Sequence, residues 1–307
     1  MTAREAEDAT LRFDGCAAIV TGAGKGLGRA YAEELATRGA RVLVNNRTHE
    51  GRPSSADLVV EEIRARGGEA VPDTQSVEGP GAAARLIQHA LDEFGRLDVL
   101  ICNAGVSRIR MFHKLDLDEM REMIEINLMA PLAQIHAALP HMRKAGYGRI
   151  LTISSNAAMY GAVGFATYAA TKSAMHGLVA SLSEENRSKG IHVNALIPFA
   201  YTEMSADAFS TPDLPADTPE RLQTRAVAGL ATWLVSRECE VTGKILLGGG
   251  RLFRRARMVQ NLGLESDDFS AEHLESQSGV IVDMDDLVMY EDSESMIREF
   301  ATRARKH

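Results

Sequence analysis

The chain has 307 residues, a net charge of −8, 45% hydrophobic residues and 25% charged ones. That composition supplies a core, and its acidic balance argues against nucleic acid or an anionic membrane surface as partner. No apolar run approaches the roughly 18 residues that a membrane span needs, and the polar stretch 1–10 is unlike a secretory signal.

Three cysteines, Cys16, Cys102 and Cys239, are odd in number and widely spaced. Cys16 and Cys102 fall in apolar runs and read as reduced core residues, which points to a cytoplasmic protein. No metal site is assigned. Residues 1–12 read as an N-terminal arm, and Cys16-Ala17-Ala18-Ile19-Val20 reads as a buried strand. A glycine turn follows, Thr21-Gly22-Ala23-Gly24-Lys25-Gly26-Leu27-Gly28, and then a helical stretch from Arg29 to Arg38. Strand, glycine turn and helix in this order suit a dinucleotide. Gly22, Gly26 and Gly28 allow close backbone approach, and the helix start attracts a pyrophosphate. The bland alternative is a glycine turn without a ligand.

A second strand, Arg41 to Val44, runs into Asn45-Asn46-Arg47. An acid there would bond the ribose 2′-hydroxyl of NAD, and a cation would take the 2′-phosphate of NADP. Asn46 is neutral, Arg47 is cationic, and Lys25 adds a second positive charge. This favours NADP(H) over NAD(H). The alternative is a solvated Arg47 with Asn46 bonding the NAD ribose.

Further strands are expected at 69–71, 97–101, 148–153, 191–196 and 244–247, with helices at 55–66, 82–94, 115–138, 166–189 and 220–236. The alternation predicts a doubly wound, Rossmann-type α/β fold with a seven-stranded parallel sheet over residues 13–250. Residues 200–218, rich in Ala, Ser, Thr, Pro and Asp, read as a mobile cover over a site. Asn103-Ala104-Gly105 follows the fourth strand and leaves room for a cofactor. Asn127 lies inside a predicted helix, where asparagine is mildly unfavourable and needs a reason.

The fifth strand delivers Ser154 and Ser155, and the next helix carries Tyr168 and Lys172 at i and i+4, on one face. A free phenol, with a pKa of about 10, transfers protons poorly at neutral pH. A nearby ammonium would lower that value and make Tyr168 a useful acid and base.

Thr21-Gly22-x-x-x-Gly26-x-Gly28, Asn103-Ala104-Gly105, Asn127, Ser155, Tyr168-x-x-x-Lys172, and Pro198 with Thr202 together resemble the short-chain dehydrogenase/reductase family over residues 13 to 250. The resemblance implies that Tyr168 exchanges a proton with the substrate oxygen and that Lys172 lowers its pKa and bonds the nicotinamide ribose. Ser155 would bond the substrate oxygen, and Asn127 would hold a water leading to solvent. Leu27, Gln75, Ser76, Ala104, Pro198 and Thr202 complete the implied cofactor site.

Within the family, Gly26 to Ala32, Val42 to Asn46 and Tyr147 to Ile150 resemble the dehydrogenase unit of the peroxisomal multifunctional enzymes of type 2, which oxidises 3-hydroxyacyl-CoA with NAD and has relatives acting on steroids. This chain has Asn46 and Gln75 where that unit has acids, and Phe199 where glycine is usual.

The main expectation is an oxidoreductase interconverting an apolar secondary alcohol and a ketone. Ala162, Val163, Phe165, Phe199, Tyr201 and Met204 are candidates for its pocket. A 3-hydroxyacyl-CoA or steroid dehydrogenase using NAD is the alternative. A non-catalytic nucleotide-sensing scaffold is the lesser one, since it should have lost Tyr168, Lys172 or Ser155. A homodimer or homotetramer is implied.

Residues 251–307 read as an extension. Arg251, Arg254, Arg255 and Arg257 suit a solvated or intersubunit face better than a CoA phosphate, and Val280 to Val282 suggests a small strand. The extension is expected to pack over a substrate site or on a partner subunit.

Overall fold

The computed structural model describes residues 10–48, 51, 53–209 and 213–303. Strand β1 (Ala17–Thr21) is buried along its whole length. Its side chains alternate between two cores: Ala18 and Val20 enter one, Ala17 and Ile19 the other. A strand covered on both faces has no polar side to show, which is why it reads as an unbroken apolar run.

The elements alternate from there: α1 (Gly26–Thr37), β2 (Arg41–Asn45), α2 (Ser55–Ala65), β3 (Glu69–Asp73), α3 (Ala82–Phe94) and β4 (Val99–Cys102). Next come α4 (Leu117–Ile124), a π-helical turn (Glu125–Met129), α5 (Ala130–Ala145), β5 (Gly148–Ile153) and α6 (Ala166–Asn186). β6 (Ile191–Pro198), α7 (Thr224–Leu234), β7 (Ile245–Gly249) and β8 (Leu252–Ala256) complete the main body. The single helix expected over 115–138 is therefore two helices joined by a π-turn.

The strands lie in the order β3-β2-β1-β4-β5-β6-β7-β8. All pairs from β3 to β7 are parallel, with Val20 opposite Val44 on one side and Ile101 on the other. One face is closed by Tyr31 and Leu35 of α1, Val59 and Ile63 of α2, and Val227 and Leu234 of α7. The other is closed by Leu86 and Ile87 of α3, Ile135 and Met142 of α5, and Val179 and Leu182 of α6. The chain winds outward from β1 to β3 and then returns to lay β4 beside β1. At such a reversal the loops leave in opposite directions and open a crevice at the carboxyl ends of the strands.

An eighth strand extends the expected seven. In β8 the residues Leu252 to Arg255 are exposed. Arginines on an edge strand discourage pairing with other chains, and they also hide the strand pattern in the sequence.

The chain divides into two compact units, Met1–Arg255 and Ala256–His307. The second contains an antiparallel ribbon, β9 (Gln260–Asn261) with β10 (Leu287–Val288), and helices Ala271–Ser276, Ser278–Val282 and Ser293–Arg303. None of its described residues is buried. Val280 to Val282 is helical and not the small strand its β-branched residues suggested. The Asn261 side-chain amide donates to the carbonyls of Val280 (3.3 Å), Ile281 (2.9 Å) and Asp283 (2.5 Å), satisfying the helix end. Such a contact outweighs strand propensity, which depends on context.

Among the described residues, no helix is long and apolar enough to cross a membrane. Most of the N-terminal arm, and residues 210–212 of the expected cover, lie outside the described residues.

Candidate active site

Thr21 closes β1, and its side chain joins the loops that diverge at the reversal. The Thr21 Oγ1 accepts from the backbone N–H of Asn103 (3.0 Å) and of Ala104 (3.1 Å). The Asn103 side chain donates back to the Thr21 carbonyl (2.9 Å) and the Gly22 carbonyl (3.1 Å). Gly22 has φ +62°, and a Cβ there would stand 2.8 Å from Ala104 Cα. A Cβ on Gly28 would stand 2.3 Å from the Gly22 carbonyl oxygen. Both glycines are demanded by packing before any ligand is considered.

Helix α1 then starts bare. Lys25 at its N-cap makes no side-chain capping bond, and the first turn has no acid. Unspent N–H groups at a helix start, with the positive end of its dipole, suit an anion. The residues present thus fit the pyrophosphate of a dinucleotide. Leu27 is partly buried against the core. Thr202, beyond Pro198 at the end of β6, comes within 3.7 Å of where a Gly26 Cβ would stand. Lys25 Nζ pairs with Glu203 at 2.5 Å.

The ends of β2 and β3 form a second cluster. The Asn46 amide donates to Ser55 Oγ at 2.8 Å. Arg47 pairs with Glu78 at 3.1 Å, and Ser76 Oγ donates to the same carboxylate at 3.0 Å. The sequence reading found no carboxylate here, because Gln75 stands where an acid was expected. The structure supplies Asp73 instead. Asp73 is buried, with its carboxylate bonded to the Asn45 amide (2.8 Å), the Gln75 N–H (3.2 Å) and His89 Nδ1 (2.9 Å).

The third cluster gathers Ser155, Tyr168, Lys172 and Asn127. Lys172 is 5% exposed, and its Nζ donates to the Ile153 carbonyl at 2.9 Å. Among the described residues that is its one hydrogen-bond partner, so two N–H groups remain for a ligand. The ammonium lies 5.7 Å from the centre of the Tyr168 ring. Burial pushes the Lys172 pKa down to about 8.

Burial raises the Tyr168 pKa, and the counteracting influence is a hydrogen bond with Ser155. Desolvation of the phenolate is the larger of the two influences. Phe165 stands edge-on to Tyr168, with ring centres 5.9 Å apart.

Asn127 sits in the π-turn, a geometry that often marks functional positions. Its Oδ1 accepts from the Val106 N–H and its Nδ2 donates to the Val106 carbonyl, both at 2.8 Å. A Cβ on Gly105 would stand 3.1 Å from Asn127 Oδ1 and 3.5 Å from Lys172 Nζ. The loop after β4, the π-turn and α6 therefore converge on one point.

Sequence reasoning missed the stitching role of Thr21 and the two acids Asp73 and Glu78. Thr21 had a visible signal, a hydroxyl directly before the first glycine. The acids had none, since their roles arise from pairing across strands.

The chain matches the short chain dehydrogenase family over residues 16–213. It is 41% identical over 258 residues to the peroxisomal multifunctional enzyme type 2 of Mus musculus, covering 82% of this chain and 34% of that protein. It thus spans about a third of the length of that relative. The solved full-length peroxisomal multifunctional enzyme type 2 from Drosophila melanogaster superposes with a TM-score of 0.81 at 29% identity, covering 95% of this chain and 50% of that one. A gluconate 5-dehydrogenase from Burkholderia cenocepacia, solved with NADP and tartrate, superposes with a TM-score of 0.70 at 27% identity, covering 77% and 94%. The switch-point crevice, the bare helix start beside it and this extent of similarity lead to one conclusion: the chain belongs to the short-chain dehydrogenase family and is a nicotinamide-dependent oxidoreductase.

Proposed function

We propose that the protein interconverts an apolar secondary alcohol and its ketone, with NADP(H) preferred over NAD(H). The observation that carries this reading is the buried Lys172, one turn from Tyr168, with two N–H groups free for ribose hydroxyls. A bound nicotinamide supplies or accepts the hydride. Tyr168 takes the hydroxyl proton in oxidation and returns it in reduction, and Ser155 donates a hydrogen bond to the substrate oxygen. Donors already aimed at an oxygen that gains charge stabilise it without reorganisation. Lys172, adjacent to the phenol, favours the phenolate when the proton leaves. Asn127 holds the Val106 backbone, which keeps Gly105 clear of Lys172.

The apolar substrate is supported by large side chains left exposed on the surrounding loops. Ile109, Phe112, Tyr160, Val163 and Met204 are each more than half exposed. Arg110 N–H donates to the Gly164 carbonyl at 3.0 Å, which joins two of these loops. Exposed apolar side chains on joined segments are the kind of surface that suits an apolar ligand. Arg47 and Lys25 support the phosphorylated cofactor, as does the NADP held by the gluconate 5-dehydrogenase. A homodimer or homotetramer is supported by Leu117, Ile124 and Met129, exposed along the 115–138 stretch. Three buried free thiols support a cytoplasmic setting.

A second reading, oxidation of a 3-hydroxyacyl-CoA with NAD, draws on the exposed arginines of β8, which can fork onto phosphate.

Fluorescence titration should give saturable binding of NADPH and NADH. Tyr168→Phe should keep that binding and lose turnover by about 10²–10⁴-fold. Undiminished turnover in Tyr168→Phe would remove the assigned proton donor.

A further inference from the structure

Arg47 is the cation beyond β2 to which the proposed function gives a 2′-phosphate, and it is already engaged. Its Nη1 lies 3.1 Å from Glu78 Oε1, with the two side chains 42% and 29% exposed. Glu78 is held in place. Ser76 Oγ donates to its carboxylate at 3.0 Å, and the Glu78 N–H donates to Ser76 Oγ at 3.3 Å. Arg85 of α3 fixes the Ser76 carbonyl at 2.8 Å.

The separation of the pair is set by the backbone. On either side of Arg47, the N–H of Asn46 donates to the Asp73 carbonyl (2.9 Å) and the N–H of Thr48 donates to the Thr74 carbonyl (3.0 Å). The segment bearing the cation and the segment bearing the acid are thus laced together beyond the ends of β2 and β3. Among the described residues, Arg47 spends one of its five N–H groups on this contact.

On the nucleotide site assigned above, we propose that Glu78 is a specificity-determining residue, a built-in carboxylate that competes with the cofactor 2′-phosphate for Arg47. A phosphate monoester carries about −1.5 to −2 charges at neutral pH. Brought to Arg47, it meets a guanidinium already compensated and a carboxylate of its own sign. A neutral 2′-hydroxyl meets no such repulsion. Glu78 therefore holds down the advantage that Arg47 gives to NADP(H) and keeps NAD(H) usable at the same site. No contact with the reacting atoms is required, so the effect falls on cofactor choice and not on the chemical step.

The test is a set of dissociation constants for NADPH and NADH, by nucleotide fluorescence, on the full chain and on Glu78→Gln and Arg47→Gln, at low and high salt. Glu78→Gln should tighten NADPH on the order of tenfold and leave NADH within about twofold. Arg47→Gln should move the NADPH-to-NADH ratio the opposite way. Both shifts should shrink in high salt, as interactions between partly exposed charges do. The proposal is overturned if Glu78→Gln leaves the ratio unmoved, shifts it toward NADH, or changes both affinities alike. Equal NADH binding in the variant and the parent serves as the folding control. If the parent chain binds neither nucleotide, the nicotinamide reading itself fails and this one falls with it.

Discussion

Lys172 takes an ammonium into a region nearly closed to water, and its pKa of about 8 records the cost of that burial. The ordinary value is 10.5. Between the two, the unfolded chain keeps a proton that the folded chain releases, so this group makes stability rise with pH from about 8 to 10.5. Below pH 8 the penalty is fully present, on the order of 3 kcal/mol. Cys102, raised to about 12 by burial, and Tyr168, also raised, act in the opposite direction at alkaline pH. Both persist in a Lys172→Met variant, and losing the ammonium, which lowers the Cys102 pKa in the parent, deepens the alkaline fall of the variant in the same direction. Lys172→Met also leaves the Ile153 carbonyl without its partner, a roughly constant offset. The stability of the variant minus that of the parent should therefore fall by about 3 kcal/mol between pH 7 and 10.5. Denaturant melts across that range measure it, and a difference independent of pH would refute the buried charge.

The π-turn Glu125–Met129 explains what was odd about Asn127 at the level of elements. Asparagine competes with the backbone and is a poor helix interior residue. Here the irregular turn lets its amide act as a second strand edge for Val106, donating and accepting once each. Asn127→Ala strands both Val106 groups, and chemical denaturation should show a loss of about 2 kcal/mol. Wild-type stability in that variant would mean the clamp is idle. The need for a special role at 127 was visible in the sequence, but the partner was not, because Val106 lies on a different element. The same division holds elsewhere. Continuous apolar runs such as 16–20 and 148–153 announce doubly covered strands by composition alone. The turn from Gly22 to Gly28 was legible in part for a local reason, since φ is +62° at Gly22 and +57° at Gly26 and favours glycine at both. β8 was not, because Arg254 and Arg255 occupy a strand whose pattern is set by solvent at a sheet edge. The direction of the Tyr168 shift was also hidden, since burial is a property of the assembled fold and not of an i, i+4 spacing.

Among the described residues, both hydrophobic cores are built from the first unit, Met1–Arg255, and Val241 and Leu246 are among the last to pack against them. The second unit, Ala256–His307, has helices and a two-stranded ribbon, but no described residue in it is buried. Stability follows buried apolar area, at about 25 cal/mol per Å². The bulk of it therefore lies before residue 256. A chain ended after Arg257 should unfold in one cooperative transition, within a few degrees of the parent, and bind NADPH with an affinity within about twofold. The expectation that the extension packs on a partner subunit makes a separate prediction on the same variant. The oligomer should shrink in light scattering, while melting and cofactor binding hold. A truncated chain that melts without cooperativity would show that the first unit depends on the second for its fold. One that keeps the parent oligomer size would free the extension from that contact.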